Sequence, residues 1–244
     1  MAHTLLIVES PNDEAFFRLL IQTGQQPEIT PIQDTEIEHL HNFVGTDGKE
    51  KRGKDALPEK LAVIKTQLSK SRPDIQHIAV ILDADSPPSG GKQQSLALIN
   101  QAFEKAFGVN TGFTELGQEV EKEVDLSGEM TLLKLSCYLT HDSSGEGNLD
   151  TVMKAIASKS CPESDCPEEM NKCVVGKTGK PMRDFTKQWV NYYVRSHASK
   201  KQLQNAEKRL HEVITDQGTN IFDLNSPLIA GIKSYLNQIS GFPA

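Results

Sequence analysis

Ile75-Gln76-His77-Ile78-Ala79-Val80-Ile81-Leu82-Asp83-Ala84-Asp85 is the stretch that decides the fold. An apolar, β-branched run of this length reads as a strand buried on both faces, the habit of a parallel sheet covered by helices. A second such run, Leu5-Leu6-Ile7-Val8, stops at Glu9. In open α/β sheets the ligand site lies outside the carboxyl ends of the strands. Glu9, Asp83 and Asp85 therefore fall where a carboxylate serves neither the core nor ordinary solvated surface. Three of them, on two candidate neighbouring strands, suggest a divalent-metal site.

Working outward, the first strand spans Thr4–Glu9 and leads into a helix with clear start signals. Ser10 suits the N-cap, Pro11 the first helical position and Asp13 the capping carboxylate. Phe16, Phe17, Leu19, Leu20 and Ile21 supply its buried face, and Gly24 ends it. A second strand is expected at Glu28–Ile32 or Ile37–Val44. Pro58 opens an amphipathic helix through Leu68, a helix is expected over about 92–107, and Met130–Thr140 alternates as a further strand. A loop, His141–Gly147, precedes a helix at Asn148–Ser158. This alternation describes an α/β domain over residues 1–160, with a mostly parallel sheet and helices on both faces. Residues 161–244 read as a mostly helical C-terminal extension packed on the sheet, with helices at about 183–195, 200–215 and 227–238.

The bulk numbers narrow the function classes. The chain has 244 residues, 37% hydrophobic and 24% charged, enough for one substantial core. No run approaches the length of a membrane span, so no membrane partner is expected. Met1-Ala2-His3 passes into a strand without a basic leader, which gives the expectation of a soluble, cytoplasmic protein. Cys161, Cys166 and Cys173 lie in a Pro- and Glu-rich stretch expected to be a loop, at spacings unlike a zinc site, and with Cys137 they read as free thiols. The net charge of −7 argues against indiscriminate nucleic-acid binding. Yet residues 172–209 carry ten basic side chains against Asp184 and Glu207, and Lys49, Lys51, Arg52 and Lys54 cluster among glycines. These read either as solvated faces or as a surface for phosphates.

On a strand, residues two apart face one side, so Asp83 and Asp85 are expected to project together, about 7 Å apart. Mg²⁺ is typically held by one or two carboxylates with waters and phosphates. A turn also explains Asp85-Ser86-Pro87-Pro88. If the first and third apolar strands lie side by side, Glu9 joins the pair at one sheet edge. Glu146 and Asp150 follow the fourth strand and reach the same edge or start a helix, with Asn148 or Asp150 as its cap. Asp13 is a cap, a ligand of a second metal, or both.

Leu5-Leu6-Ile7-Val8-Glu9, Asn12-Asp13-Glu14-Ala15-Phe16-Phe17 and Ile81-Leu82-Asp83-Ala84-Asp85 together resemble the TOPRIM domain, the compact α/β module of topoisomerases, bacterial primases and OLD-family nucleases. The resemblance spans about residues 4–160 in layout and some twenty residues in motif. Val8-Glu9-Ser10-Pro11 looks like the first motif of type IA topoisomerases, but Ser86-Pro87-Pro88 replaces their acidic and basic run, and the chain leaves no room for their gate domains. Gly145-Glu146-Gly147-Asn148-Leu149-Asp150 is similar to a downstream acidic motif of stand-alone TOPRIM-like proteins near the OLD nucleases. The resemblance implies that Asp83 and Asp85 bind Mg²⁺ or Mn²⁺, with Glu9 a further ligand or the general acid/base. It implies Asp13 and Asp150 as candidates for a second metal and Lys187 as the basic group. The implied activity is phosphoryl transfer on DNA or RNA, contacted through Lys/Arg residues in 172–209, and a homodimer stays open.

Two rivals accompany this expectation. Ile81–Asp85 also resembles the nucleophile motif of haloacid-dehalogenase-like phosphatases, with Asp83 attacking phosphate and Asp85 as acid/base, although that leaves Glu9 unexplained. A non-catalytic TOPRIM-like module binding metal, nucleotide or a protein partner is the other. Val175-Gly176-Lys177-Thr178 is no P-loop, because Asn171 stands where the first glycine belongs. Asp142-Ser143-Ser144 near His141 lacks the context of a nucleophile elbow.

Overall fold

The computed structural model of the chain describes residues 3–24, 35–45, 48–51, 53–72, 74–86, 90–199 and 210–240. Strand β1 (His3–Val8) is followed by helix α1 (Pro11–Gly24), whose first turn carries Asp13 and Glu14. Strand β2 (Thr35–His39) pairs with β1 in parallel, and a small antiparallel hairpin follows, β3 (Phe43–Val44) with β4 (Glu50–Lys51). The expected Ile37–Val44 strand is thus divided, and Asn42, at φ 58°, marks the break. The alternative at 28–32 lies outside the described residues.

A 3₁₀ turn, Gly53–Ala56, enters α2 (Leu57–Leu68), which buries Leu57, Leu61, Ile64 and Leu68. Strand β5 (Ile75–Asp83) and helix α3 (Gly91–Phe107) come next. Strands β6 (Glu119–Leu126) and β7 (Glu129–Thr140) form an antiparallel hairpin. The final elements are α4 (Leu149–Ala155), α5 (Pro162–Thr178), α6 (Phe185–Ser196), α7 (Leu210–Ile221) and, after a 3₁₀ turn at Pro227–Ile229, α8 (Ala230–Ile239).

The main sheet has the order β2-β1-β5-β7-β6, parallel throughout except at the β6 edge. Its strands alternate between two cores. Leu5, Ile7, Ile78, Val80 and Leu82 face α2 and α3, while Leu6, Val8, Ala79 and Ile81 face a layer built from α1, α4, α6, α7 and α8. The chain is therefore an α/β protein with a mostly parallel sheet, helices on both faces and a helical C-terminal part.

Two expectations need correction. The Cys161–Cys173 stretch is helix α5, not a loop: Pro162 occupies the first turn, where a missing N–H costs nothing, and Pro167 is accommodated inside. Strand β6 has no counterpart among the strands that the sequence pattern predicts. Glu-Val-Glu-Lys-Glu-Val-Asp-Leu is an edge strand whose outward charges hide its apolar alternation. The helix expected over 200–215 is described from Leu210 onward and runs on to Ile221; residues 200–209 lie outside the described set. All four cysteines are free thiols, Cys137 and Cys161 buried and Cys166 and Cys173 exposed.

Candidate active site

After β1 the chain moves to β2 on one side, then crosses to β5 on the other. The carboxyl ends of β1 and β5 consequently flank a topological switch point, where neighbouring connections diverge and leave a crevice. Glu9 follows β1 and Asp83 ends β5. A cleft of about 580 Å³ opens there, lined by Glu9, Asn12, Asp13, His39, His41, Asp83, Asp150, Lys187 and His211 among others.

Each acidic side chain is set by a different element. Asp13 belongs to a reciprocal cap: the Ser10 N–H donates to its Oδ2 at 2.7 Å, and its own N–H donates to Ser10 Oγ at 3.3 Å. Capping and cleft lining therefore coexist in one residue. Asp83 Oδ1 accepts from Thr140 Oγ1 at 2.5 Å and from the Leu149 N–H at 2.9 Å, the latter at the start of α4. Glu9 Oε2 accepts from the Asp83 N–H at 3.4 Å. Asn148 caps α4 by accepting from the Thr151 N–H, which releases Asp150 from capping and leaves it on the cleft wall.

The electrostatics follow from burial and crowding. Burial, then the Asp83 carboxylate, push Glu9 up to about 7 against the pull of the Lys54 ammonium. Burial and Asp83 lift Asp150 to about 6, opposed by Lys187. Burial, Asp83 and Glu9 hold Asp13 well above the usual carboxylate range. Burial also raises Asp83, with the Thr140 and Leu149 hydrogen bonds opposing it.

Asp85 is placed differently from its sequence expectation. The strand ends at Asp83, and Asp85 adopts φ 60°, so the two-residue alternation stops before it. Its N–H donates to Gly147 O at 2.7 Å, the Gly147 N–H returns a bond at 3.0 Å, and its carboxylate is ion-paired with Lys54. Asp85 is not among the residues lining the cleft. Glu146 also stays off it; its carbonyl accepts from the Asp142 N–H in the preceding turn.

From sequence, Lys54 is only one member of a basic cluster, and His39 with His41 is most simply a solvated or strand-alternating pair; the structure brings all three to the cleft or its edge. His39 Nδ1 is buried without a hydrogen-bond partner among the described residues. Lys54 was visible only as part of a Gly/Lys-rich run before an amphipathic helix, and its partners lie 29 to 41 positions away.

The donor set suits a hard divalent cation: carboxylate oxygens whose negative charges need either protons or a cation nearby. Among the described residues, no group of three or more His, Cys, Asp or Glu side chains stands arranged to hold a metal by itself. One or two carboxylates with waters and phosphates usually suffice for Mg²⁺, and Glu9 and Asp83 are the two carboxylates that could hold one here.

The family described as "Protein of unknown function (DUF3226)" matches residues 3–241. No curated protein matches the chain. The chain is similar to a hypothetical protein of known crystal structure from Pyrococcus horikoshii OT3, at 12% identity and a TM-score of 0.43, over 98% of this chain and 99% of that one.

Proposed function

The chain belongs to the DUF3226 family, whose description assigns no activity, and from its site we propose a Mg²⁺- or Mn²⁺-dependent phosphoryl-transfer protein acting on nucleic acid, a nuclease-like protein of the TOPRIM type. One observation carries the reading: Glu9 just beyond β1, Asp13 of α1, Asp83 of β5 and Asp150 of α4 line a single cleft at the switch point of the sheet. In this reading Glu9 and Asp83 hold the metal, and Asp13 and Asp150 serve a second ion. A bound metal would stabilise charge on a phosphoryl oxygen and acidify a water.

The chain's own residues do the rest. Without metal, burial and Asp83 push Glu9 up to about 7; it serves as a ligand when the ion is shared with Asp83, or takes and returns a proton when Asp83 holds the ion without it. Lys187 is exposed at the start of α6 and offers its ammonium to phosphate oxygens. Exposed Lys177, Lys180 and Arg183 precede it in the chain and supply positive charge for a nucleic-acid backbone. Among the described residues no helix is long and apolar enough to cross a membrane. The free thiols support a reducing, cytoplasmic setting as part of the same proposal.

The test is cleavage of single-stranded and duplex DNA and RNA with Mn²⁺ present. Metal-dependent cleavage is expected, falling roughly 10²-fold or more in Glu9→Gln and in Asp83→Asn. Metal binding without cleavage would instead identify a non-catalytic module. Phosphate release from small phosphomonoesters through a trapped Asp83 adduct would identify a phosphatase.

A further inference from the structure

We infer that Lys54 is a positioning residue that holds Asp85 as its own counter-ion, so that Asp83 alone of the Asp83/Asp85 pair serves the metal. The inference rests on the metal reading above and concerns how this chain divides labour between the two carboxylates.

An ammonium has three donors, and all three of Lys54 are used. Nζ donates to Asp85 Oδ2, to Asp83 O at 2.6 Å and to Ser95 Oγ at 3.0 Å. Ser95 Oγ in turn donates to Asp83 O at 3.0 Å. The Lys54 side chain is 15% exposed and that of Asp85 32%, so the pair is largely withdrawn from solvent. With every donor committed, Lys54 has none left for a substrate phosphate. The backbone of Asp85 is fixed as firmly, by the reciprocal pair of hydrogen bonds to Gly147 in the loop before α4.

The segment that delivers Lys54 also borders Glu9. Gly53, at φ +52°, lies so near that an added Cβ would stand 3.5 Å from Glu9 Oε1. Lys54 thus ties the 3₁₀ turn, the end of β5 and the start of α3 together beside the acidic cleft. A buried cation that loses its partner is an uncompensated charge. Removing the Asp85 carboxylate therefore acts on metal binding through the bare ammonium it leaves behind.

Calorimetric Mn²⁺ titration of the full chain tests this with Asp83→Asn, Asp85→Asn and the charge-neutral double variant Lys54→Met/Asp85→Asn. Asp83→Asn is expected to lose binding. Asp85→Asn should weaken it roughly 10-fold, because Lys54 is left unpaired among the ligands. The double variant should return to within about 3-fold of wild type, since both charges leave together. A double variant as weak as Asp85→Asn would make Asp85 a ligand and overturn the inference. If a single variant fails to fold, the double variant against wild type decides alone: retained affinity supports the inference and lost affinity overturns it. Denaturant unfolding without metal tests the Lys54–Asp85 pairing independently of any ion. Wild type that binds no Mn²⁺ defeats the metal reading, while the pairing stands if the unfolding costs of Lys54→Met and Asp85→Asn, each measured alone, are coupled in the double variant and falls if they add.

Discussion

Glu9 is held by burial and by Asp83 at a pKa of about 7, against an ordinary value of 4.5. Between those values the folded chain binds more protons than the unfolded one, so without metal this residue's contribution to stability is lost as pH rises toward 7 and beyond. Glu9→Gln should therefore stabilise the metal-free protein at pH 8 by on the order of 1–3 kcal/mol, with the gain vanishing below about pH 4.5. Urea unfolding in chelator across that range checks it; a variant no more stable than wild type at pH 8 would refute it. His77 works with the opposite sign, because burial lowers it to about 4 and stability is lost as pH falls below 6.5. Comparing variant with wild type at each pH cancels that term. Glu9 and Asp83 were legible in the sequence because each ends an apolar strand run. The placement of Asp85 was not, because the strand ends at Asp83, two residues before it, and Asp85 takes a left-handed backbone at φ 60° that the strand period does not foretell. Lys54 was illegible for a different reason: its meaning lies in partners brought together by a β-crossover.

Helix α4 shows how an element end can serve both stability and a site. Asn148 satisfies the Thr151 N–H, and the next residue, Leu149, gives its free N–H to Asp83 Oδ1. Both are donors that a helix start leaves without intrahelical partners. Asn148→Ala is expected to cost about 1 kcal/mol of stability and to weaken Mn²⁺ binding, since α4 also carries Asp150. A variant with wild-type thermal stability, measured by calorimetry, would show that the cap is dispensable. The sequence offered Asn148 and Asp150 as equal candidates for this cap; the extended backbone at Asn148, φ −144° and ψ 177°, makes the choice. Elements with strong apolar periodicity, such as β1, β5 and α2, were readable from pattern alone. Strand β6 and helix α5 were not: the first is charged on its outward face, and the second carries two prolines within six residues. In both, tertiary placement at an edge or a helix start decides what composition leaves open.

At the scale of the whole molecule, the described residues before and after position 160 have one core cluster in common. Leu6, Val8, Phe16 and Leu19 lie in the same buried cluster as Trp189, Tyr193, Val213, Ile214, Ile232 and Leu236. The packing between α1 and α7 is close enough that a Cβ on Gly218 would meet Leu19 Cδ2 at 2.3 Å. The C-terminal end also bonds to the first strand, where Thr4 Oγ1 donates to Ile239 O at 2.8 Å. Tyr235 joins the sheet through a buried chain of hydroxyl and imidazole, with Ser136 Oγ 2.7 Å from both Tyr235 OH and His77 Nε2. The cleft draws Lys187 from α6 and His211 from α7, so the helical part contributes to the site as well as to the core. Each large apolar side chain buried in that layer contributes roughly 1.5–3 kcal/mol, and whole domains are stable by only about 5–15 kcal/mol. Ending the chain at residue 160 should therefore abolish cooperative folding, because the sheet face beneath α1 would lose more burial than the net stability can absorb. The shortened chain is expected to bind a hydrophobic dye and to show no sharp denaturant transition, whereas the full chain shows one. A cooperative transition in residues 1–160 alone would mean that α1 and α4 suffice to cover that face, and that the C-terminal helices are an accessory to a self-sufficient α/β unit.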